Sequence, residues 1–143
     1  MIKKFSGDYR FLSNFYPVTI SYNGLYYPSV EHAFQAAKTN SVEDKLKICN
    51  AESPGIAKRM GRMVELRPDW EQVKIPIMTE LVRIKFCNPG LRAMLIRTGL
   101  NELCEGNWWH DEFWGVDCVT GNGQNHLGKI LMMVRDEIMG VAR

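Results

Sequence analysis

The sequence has no C-x-x-C pair, no long unbroken apolar run, no internal repeat and almost no net charge, and each absence removes a class of protein. Its four cysteines, Cys49, Cys87, Cys104 and Cys118, are scattered along the chain. Neither zinc-finger ligand spacing nor a redox dithiol can be built from them by local spacing, and they read as reduced, mostly buried thiols of a cytoplasmic protein. Eighteen Lys and Arg against sixteen Asp and Glu leave a formal charge of +2, too little to attract a polyanion by bulk electrostatics while leaving room for a local phosphate pocket. Charged residues interrupt every apolar stretch before it reaches the ~20 residues that a bilayer span needs, and Met1 to Arg10 lacks the apolar core of a secretory signal. No membrane partner is expected. Without a low-complexity tract or Ser/Gly linker, one domain is expected over residues 1–143.

What is present is ordinary globular composition, 45% hydrophobic and 24% charged over 143 residues, enough to enclose a core without disulfides or a structural metal. From Val18 to Tyr27, β-branched and aromatic residues flank Asn23-Gly24, a dipeptide suited to the positive φ angles of a tight hairpin turn. Ser29 then caps a helix in which Val30, Ala33, Phe34 and Ala37 recur at helical spacing. Short helices follow over Val42 to Asn50 and from Ser53-Pro54. Asp69 can cap a longer helix to about Phe86, which Pro76 is expected to interrupt or kink unless it lies in the first turns. Another helix runs from near Pro89 to Gly99, and the last from about Asn125 to Met139 buries Leu127, Ile130, Leu131, Val134 and Ile138. Asn101 to Gln124, aromatic, Gly-rich and acidic, reads as an ordered loop of the kind that carries function on a helical scaffold.

Two constellations can carry chemistry. On the helix after Ser29, Glu31, Gln35 and Lys38 form a polar row at i, i+4 and i+7. Glu31 lies in the first turn, where the helix dipole favours its charged form, and Lys38 can hold a phosphate; a first-turn Glu and an exposed Lys are equally common helix decoration. His32, with no matching ligand set, reads as a packed or hydrogen-bonded structural residue. The second constellation is Trp108, Trp109, Trp114 and Asp117, followed by Gly121, Gly123 and Asn125. There aromatics can stack a planar heterocycle, while glycines and the N-terminus of the last helix offer backbone N–H groups to an anion. The alternative makes the tryptophans core plugs and the glycines turn residues. Asn14 and Phe15, within Phe11 to Pro17, can form a pocket wall or merely pack a loop. Arg59, Arg62 and Arg67 around Gly61 can meet phosphates or form a solvated face.

Taken in order, Phe11-Leu-Ser-Asn-Phe-Tyr-Pro17, Tyr27-Pro-Ser-Val-Glu-His-Ala-Phe-Gln-Ala-Ala-Lys38, Ala57-Lys-Arg-Met-Gly-Arg62, Asp69-Trp70, Lys85-Phe86, Trp114-Gly115 and the run from Gly123 to Arg135 resemble the successive motifs of the NADAR (NAD- and ADP-ribose-associated, YbiA-like) family over roughly residues 5–137. The resemblance implies a mainly α, compact YbiA-like helical domain with a small N-terminal β-hairpin. It also implies cleavage of a ribosyl N-glycosidic bond, either in a phosphorylated ribosylaminopyrimidine intermediate of riboflavin synthesis or in ADP-ribosylated guanine. Glu31 and Trp114 become the leading catalytic candidates, with Asp117 sharing the work. Asn14, Phe15, Lys38, Arg62, Trp70, Gly123 and Asn125 become substrate-binding candidates. Some members place an acid directly after Trp-Gly, whereas Val116 intervenes here and the loop to Gly123 is longer, which leaves the match of Asp117 open. The hydrolytic scheme requires no cofactor and no metal. The rival reading is a non-catalytic module that binds ADP-ribose or a related nucleotide, and a further alternative is action on ADP-ribosylated nucleic acid, whose modified base would enter by flipping.

Overall fold

The computed structural model describes residues 1–141 of the chain, and its contacts divide into two units, Asn14–Lys85 and the segment Met1–Ser13 with the residues from Phe86 onward. Helices dominate both. In the Asn14–Lys85 unit, β1 (Ile20–Tyr22) and β2 (Leu25–Tyr27) pair antiparallel with Ser21 opposite Tyr26. Asn23 at φ 46° and Gly24 at φ 85° make the turn, the two positive angles that a two-residue hairpin of this twist demands.

Four helices follow: α1 (Val30–Ala37), α2 (Val42–Cys49), α3 (Pro54–Gly61) and α4 (Trp70–Lys85). The first three start on serines whose hydroxyls accept a backbone N–H two or three positions into the helix: Ser29 from His32, Ser41 from Asp44 and Ser53 from Ile56. Each cap satisfies a donor that the helix itself leaves orphaned. Every residue of α1 is buried, and α1 packs against α2, α3 and α4. The amphipathic stripe expected of it is therefore a helix enclosed on all sides, and its polar row lies inside the protein. His32 is sewn into this arrangement. Its Nδ1 stands 2.7 Å from Ser29 Oγ, and its Nε2 lies 3.0 Å from the carbonyl of Ala51; a carbonyl only accepts, so Nε2 carries the proton.

Two expectations are corrected in this unit. Pro76 does not interrupt α4, which runs unbroken from Trp70 to Lys85. Pro76 and Gln72, whose carbonyl loses its i+4 donor, are both exposed, so water can replace the missing bond. The cysteines are not mostly buried: Cys49 here, and Cys104 and Cys118 in the other unit, are half-buried, and Cys87 is exposed. Cys49 closes α2 and donates its thiol proton to the carbonyl of Tyr26 at 3.0 Å, as a thiol at the end of an element can.

The other unit opens with a 3-10 helix at Gly7–Leu12 and continues with α5 (Pro89–Arg97), the short strands β3 (Gly106–Asn107) and β4 (Val116–Asp117), and α6 (His126–Met139). Asn88 caps α5 through Leu91 N, with Pro89 in the first turn. Gly140, at φ 70°, ends α6 in the left-handed conformation, the usual glycine stop. The stretch read as irregular loop holds a parallel pair, with Gly106 opposite Val116 and Asn107 opposite Asp117. Two-residue strands have too few side chains to show a period-two pattern, so the pair was invisible in the sequence. Among the described residues, no helix is long and apolar enough to cross a membrane.

Candidate active site

In the Asn14–Lys85 unit the candidate chemistry centres on Glu31. The side chain is 7% exposed, and its Oε1 accepts a 2.8 Å hydrogen bond from Gln35 Nε2 one turn further along α1. Its backbone N–H donates to the carbonyl of Asn14 at 3.0 Å. This ties Asn14 to the start of α1. A buried carboxylate is retained as an ion only where donors and positive ends surround it, and the first turn of α1 supplies the helix dipole. Gln35 is itself 4% exposed, and among the described residues its Oε1 has no hydrogen-bond partner. A Cβ at Gly61 would collide with that amide. The bare backbone of α3 thus makes room for the side chain that holds Glu31.

Lys38 continues the row at the end of α1 and is half-buried. Burial pushes its ammonium below the ordinary lysine range; Glu31 opposes this, while Arg62 and Lys58 push in the same direction as burial. Lys38 therefore feels one carboxylate, Glu31, and two cations, Arg62 and Lys58. Arg67, by contrast, is committed to Asp69, with Nε to Oδ1 at 2.7 Å and Nη2 to Oδ2 at 3.1 Å. Asp69 still starts α4, but through its carbonyl, which accepts from Gln72 and Val73 N–H.

The remaining candidates of this unit divide clearly. Asn14 is half-buried and donates from Nδ2 to Met78 Sδ at 3.5 Å. Phe15 is 42% exposed. Trp70 is buried, its ring 5.1 Å from that of Phe34 and tilted by 53°, which makes it part of the packing of α1 against α4.

In the other unit, β3 and β4 close an excursion over residues 108–115. Asn107, 1% exposed, holds it from inside: Oδ1 accepts from Asp111 N at 2.9 Å, while Nδ2 donates to the Asp111 carbonyl at 2.8 Å and to Glu105 Oε2 at 3.1 Å. Asp111 Oδ1 in turn accepts from the N–H groups of Phe113 and Trp114, each at 2.9 Å, an Asx turn that aims Trp114. Trp114 is half-buried, edge-on to Phe113 at 4.8 Å and to His126 at 6.4 Å. Trp108 and Trp109 are 60% and 58% exposed; neither is a core plug. Lys4 Nζ lies 4.6 Å from the ring centre of Trp108.

Asp117 is 2% exposed, its Oδ2 2.6 Å from His110 Nδ1 and its Oδ1 accepting from Val119 N at 2.8 Å. The hydrogen bond from His110, followed by that from Val119, holds its carboxyl below the ordinary carboxylate range. His110 was not singled out in the sequence; only the return of the chain at β4 brings Asp117 to it.

The last helix does not present a free N-terminus to an anion. The N–H groups of Asn125, His126 and Leu127 donate to the carbonyls of Gly115, Phe113 and Trp114. The Asn125 side chain is bonded to Glu105 N and the Leu103 carbonyl. Gly123 packs so closely on Gly115 and Val116 that a Cβ there would overlap their backbone. In this unit Asn125 and Gly123 position the tryptophan loop.

Similarity to known proteins is extensive. The chain is 41% identical over 134 residues to a riboflavin biosynthesis protein of Vibrio vulnificus, covering 92% of this chain but only 36% of that protein. It is 38% identical over 136 residues to the N-glycosidase YbiA of Escherichia coli, covering 93% of this chain and 84% of that one. The NMR structure of the Escherichia coli protein YbiA matches with a TM-score of 0.84 and 35% identity, over 97% of this chain and 87% of that chain. With the NADAR domain model matching residues 2–139, from the Asn14 motif through the Glu31 helix and the tryptophan loop to α6, the chain belongs to the NADAR domain family.

Proposed function

We propose that this protein is an N-glycosidase that hydrolyses the bond between a ribosyl carbon and nitrogen, in a phosphorylated ribosylaminopyrimidine of riboflavin synthesis or in ADP-ribosylated guanine. The observation that carries the reading is Glu31, a buried carboxylate on α1, hydrogen-bonded by Gln35 and in electrostatic contact with Lys38. Cleavage of a glycosidic bond places positive charge on the anomeric carbon and ring oxygen. A preorganised carboxylate stabilises that charge, or takes the proton of the attacking water, without needing to reorient. Lys38 and Arg62, which repel each other's charge, gain from a phosphate oxyanion between them. Asn14 and Phe15, in the same unit as Glu31, border the sugar. The protein acts as a single NADAR domain on a small ribosyl phosphate or ADP-ribose substrate in the cytoplasm.

Incubation with a phosphorylated ribosylaminopyrimidine and with ADP-ribosylated guanosine, followed by mass analysis of products, tests the reading. Free base and free sugar phosphate are the expected products. Binding without release would make the protein a nucleotide-binding module instead. Glu31→Gln keeps an acceptor for Gln35 Nε2 but removes the charge, and turnover is expected to fall by about 10²–10⁴-fold, the usual worth of a positioned base. Near-normal turnover of a folded variant would remove Glu31 from the mechanism.

A further inference from the structure

We infer that the tryptophan loop and the lysines beside it form a docking surface for single-stranded nucleic acid, on which Trp108 and Trp109 stack bases and Lys3 and Lys4 meet the flanking phosphates. The surface lies wholly within the unit that carries β3, β4 and α6, and it does not depend on the N-glycosidase reading.

Of the four tryptophans, Trp70 is buried and Trp114 half-buried, whereas Trp108 and Trp109 are 60% and 58% exposed at neighbouring positions. An indole left in water forfeits much of what its burial contributes, and a loop that only joins β3 to β4 gains nothing from two of them. Their exposure does not come from a loose loop. Asn107 at its root bonds both the N–H and the carbonyl of Asp111, and Asp111 Oδ1 accepts from the N–H groups of Phe113 and Trp114. The indoles are carried on a braced excursion, so less ordering entropy is lost when a planar group settles on them.

The charges beside them are uneven. The Lys3–Lys4 segment meets β3 at Gly106, whose N–H donates to the Lys3 carbonyl at 3.1 Å. A Cβ at Gly106 would overlap that carbonyl and press on Lys4 Cγ. The bare backbone therefore lets the Lys4 stem lie against the strand, with Nζ 4.6 Å from the ring centre of Trp108. Lys3 and Lys4 are both exposed. Most carboxylates of the region are spent on internal donors: Glu105 Oε2 accepts from Asn107, Asp111 Oδ1 closes the turn, and Asp117 is bonded to His110 and Val119. Glu112 is exposed.

Aromatic rings with adjoining cations hold unpaired strands without reading their sequence, because every base has a π face and every nucleotide a phosphate. A lipid surface fits less well. It asks for a continuous apolar face, and here His110, Asp111 and Glu112 follow directly on Trp109. The net charge of +2 supplies little long-range pull, so affinity rests on these local contacts and falls as salt rises.

Fluorescence anisotropy on the intact protein, with a labelled single-stranded DNA of roughly 12 nucleotides at about 50 mM salt, tests the inference. Saturable binding is expected. Trp108→Ala and Trp109→Ala are each expected to weaken it by roughly 5–150-fold, the effect of losing one stacked base, and Trp109→Leu, which keeps apolar bulk without a ring, by a similar factor. Lys4→Gln is expected to reduce the slope of log affinity against log salt by about 0.7. Melting temperatures are expected to stay near the wild type, since all three side chains are exposed. Absence of binding overturns the inference, as does binding that survives Trp109→Leu or both alanine substitutions together, or a preference for phosphatidylserine vesicles over the strand. The strand is unmodified, so each result stands whether or not the wild type hydrolyses a ribosyl bond.

Discussion

At the scale of single residues, the candidate site depends on how Glu31 is held. Gln35 donates its Nε2 to Glu31 and leaves Oε1 buried without a partner among the described residues, at a cost of roughly 1–3 kcal/mol for an unsatisfied buried acceptor. Gly61 is what permits that rotamer, because any Cβ there meets the amide. Gly61→Ala is therefore expected to destabilise the fold by about 1–3 kcal/mol through overpacking and to lower kcat by displacing Gln35 from Glu31. A urea titration and a kinetic assay on the same sample check both, and a stable, fully active Gly61→Ala would show that the Gln35 bond is dispensable. The polar row Glu31, Gln35 and Lys38 was legible in the sequence because helical spacing fixes which side chains share a face. The role of Gly61 was not, because it arises from a contact between two helices.

At the scale of elements, the tryptophan loop is organised by buried polar side chains rather than by an apolar face. Asn107 makes three hydrogen bonds to the loop and its flank, and Asp111 carries the turn that aims Trp114. Asn107→Leu would leave the N–H and carbonyl of Asp111 without their partners, at about 1–3 kcal/mol for each group that water cannot reach. Faster hydrogen exchange at the amides of Asp111, Phe113 and Trp114, with a raised KM, is the expected outcome; unchanged protection would place the restraint elsewhere. Helix starts were read correctly at Ser29, Ser53 and Pro89, since capping is encoded within four residues. The parallel strands β3 and β4 were missed. So was the uninterrupted passage of α4 through Pro76, because whether the lost hydrogen bond faces solvent is decided by packing.

At the scale of the whole molecule, one buried charge makes stability depend on pH. Lys85, at the end of α4, is 1% exposed, its Nζ lies 5.8 Å from the ring centre of Tyr16, and burial pushes its pKa from 10.5 down to about 7. Below about pH 7 both folded and unfolded chains carry this proton, and the full penalty of burying the ammonium is present. Above it the unfolded chain binds more protons than the folded one, so this contribution to stability rises with pH until the unfolded value of 10.5 is passed. The thiols of Cys49 and Cys104, raised above 9.0 by burial, act with the opposite sign at higher pH. The clean window therefore lies between about 7 and 8.5. Urea midpoints there are expected to climb with pH more steeply for the wild type than for Lys85→Met. Equal slopes would mean that the folded protein keeps Lys85 protonated.

The sequence by itself determined the helical character, the hairpin, the capped helix starts and the ordered set of NADAR motifs, because each is encoded in residues a few positions apart. Tertiary structure alone decided that α1 is enclosed rather than amphipathic, that the N-terminus of α6 is filled by the carbonyls of residues 113–115, and that Asp117 stands behind His110. Those facts depend on which distant segments return to exclude water and complete hydrogen bonds, and local residue spacing carries no record of that.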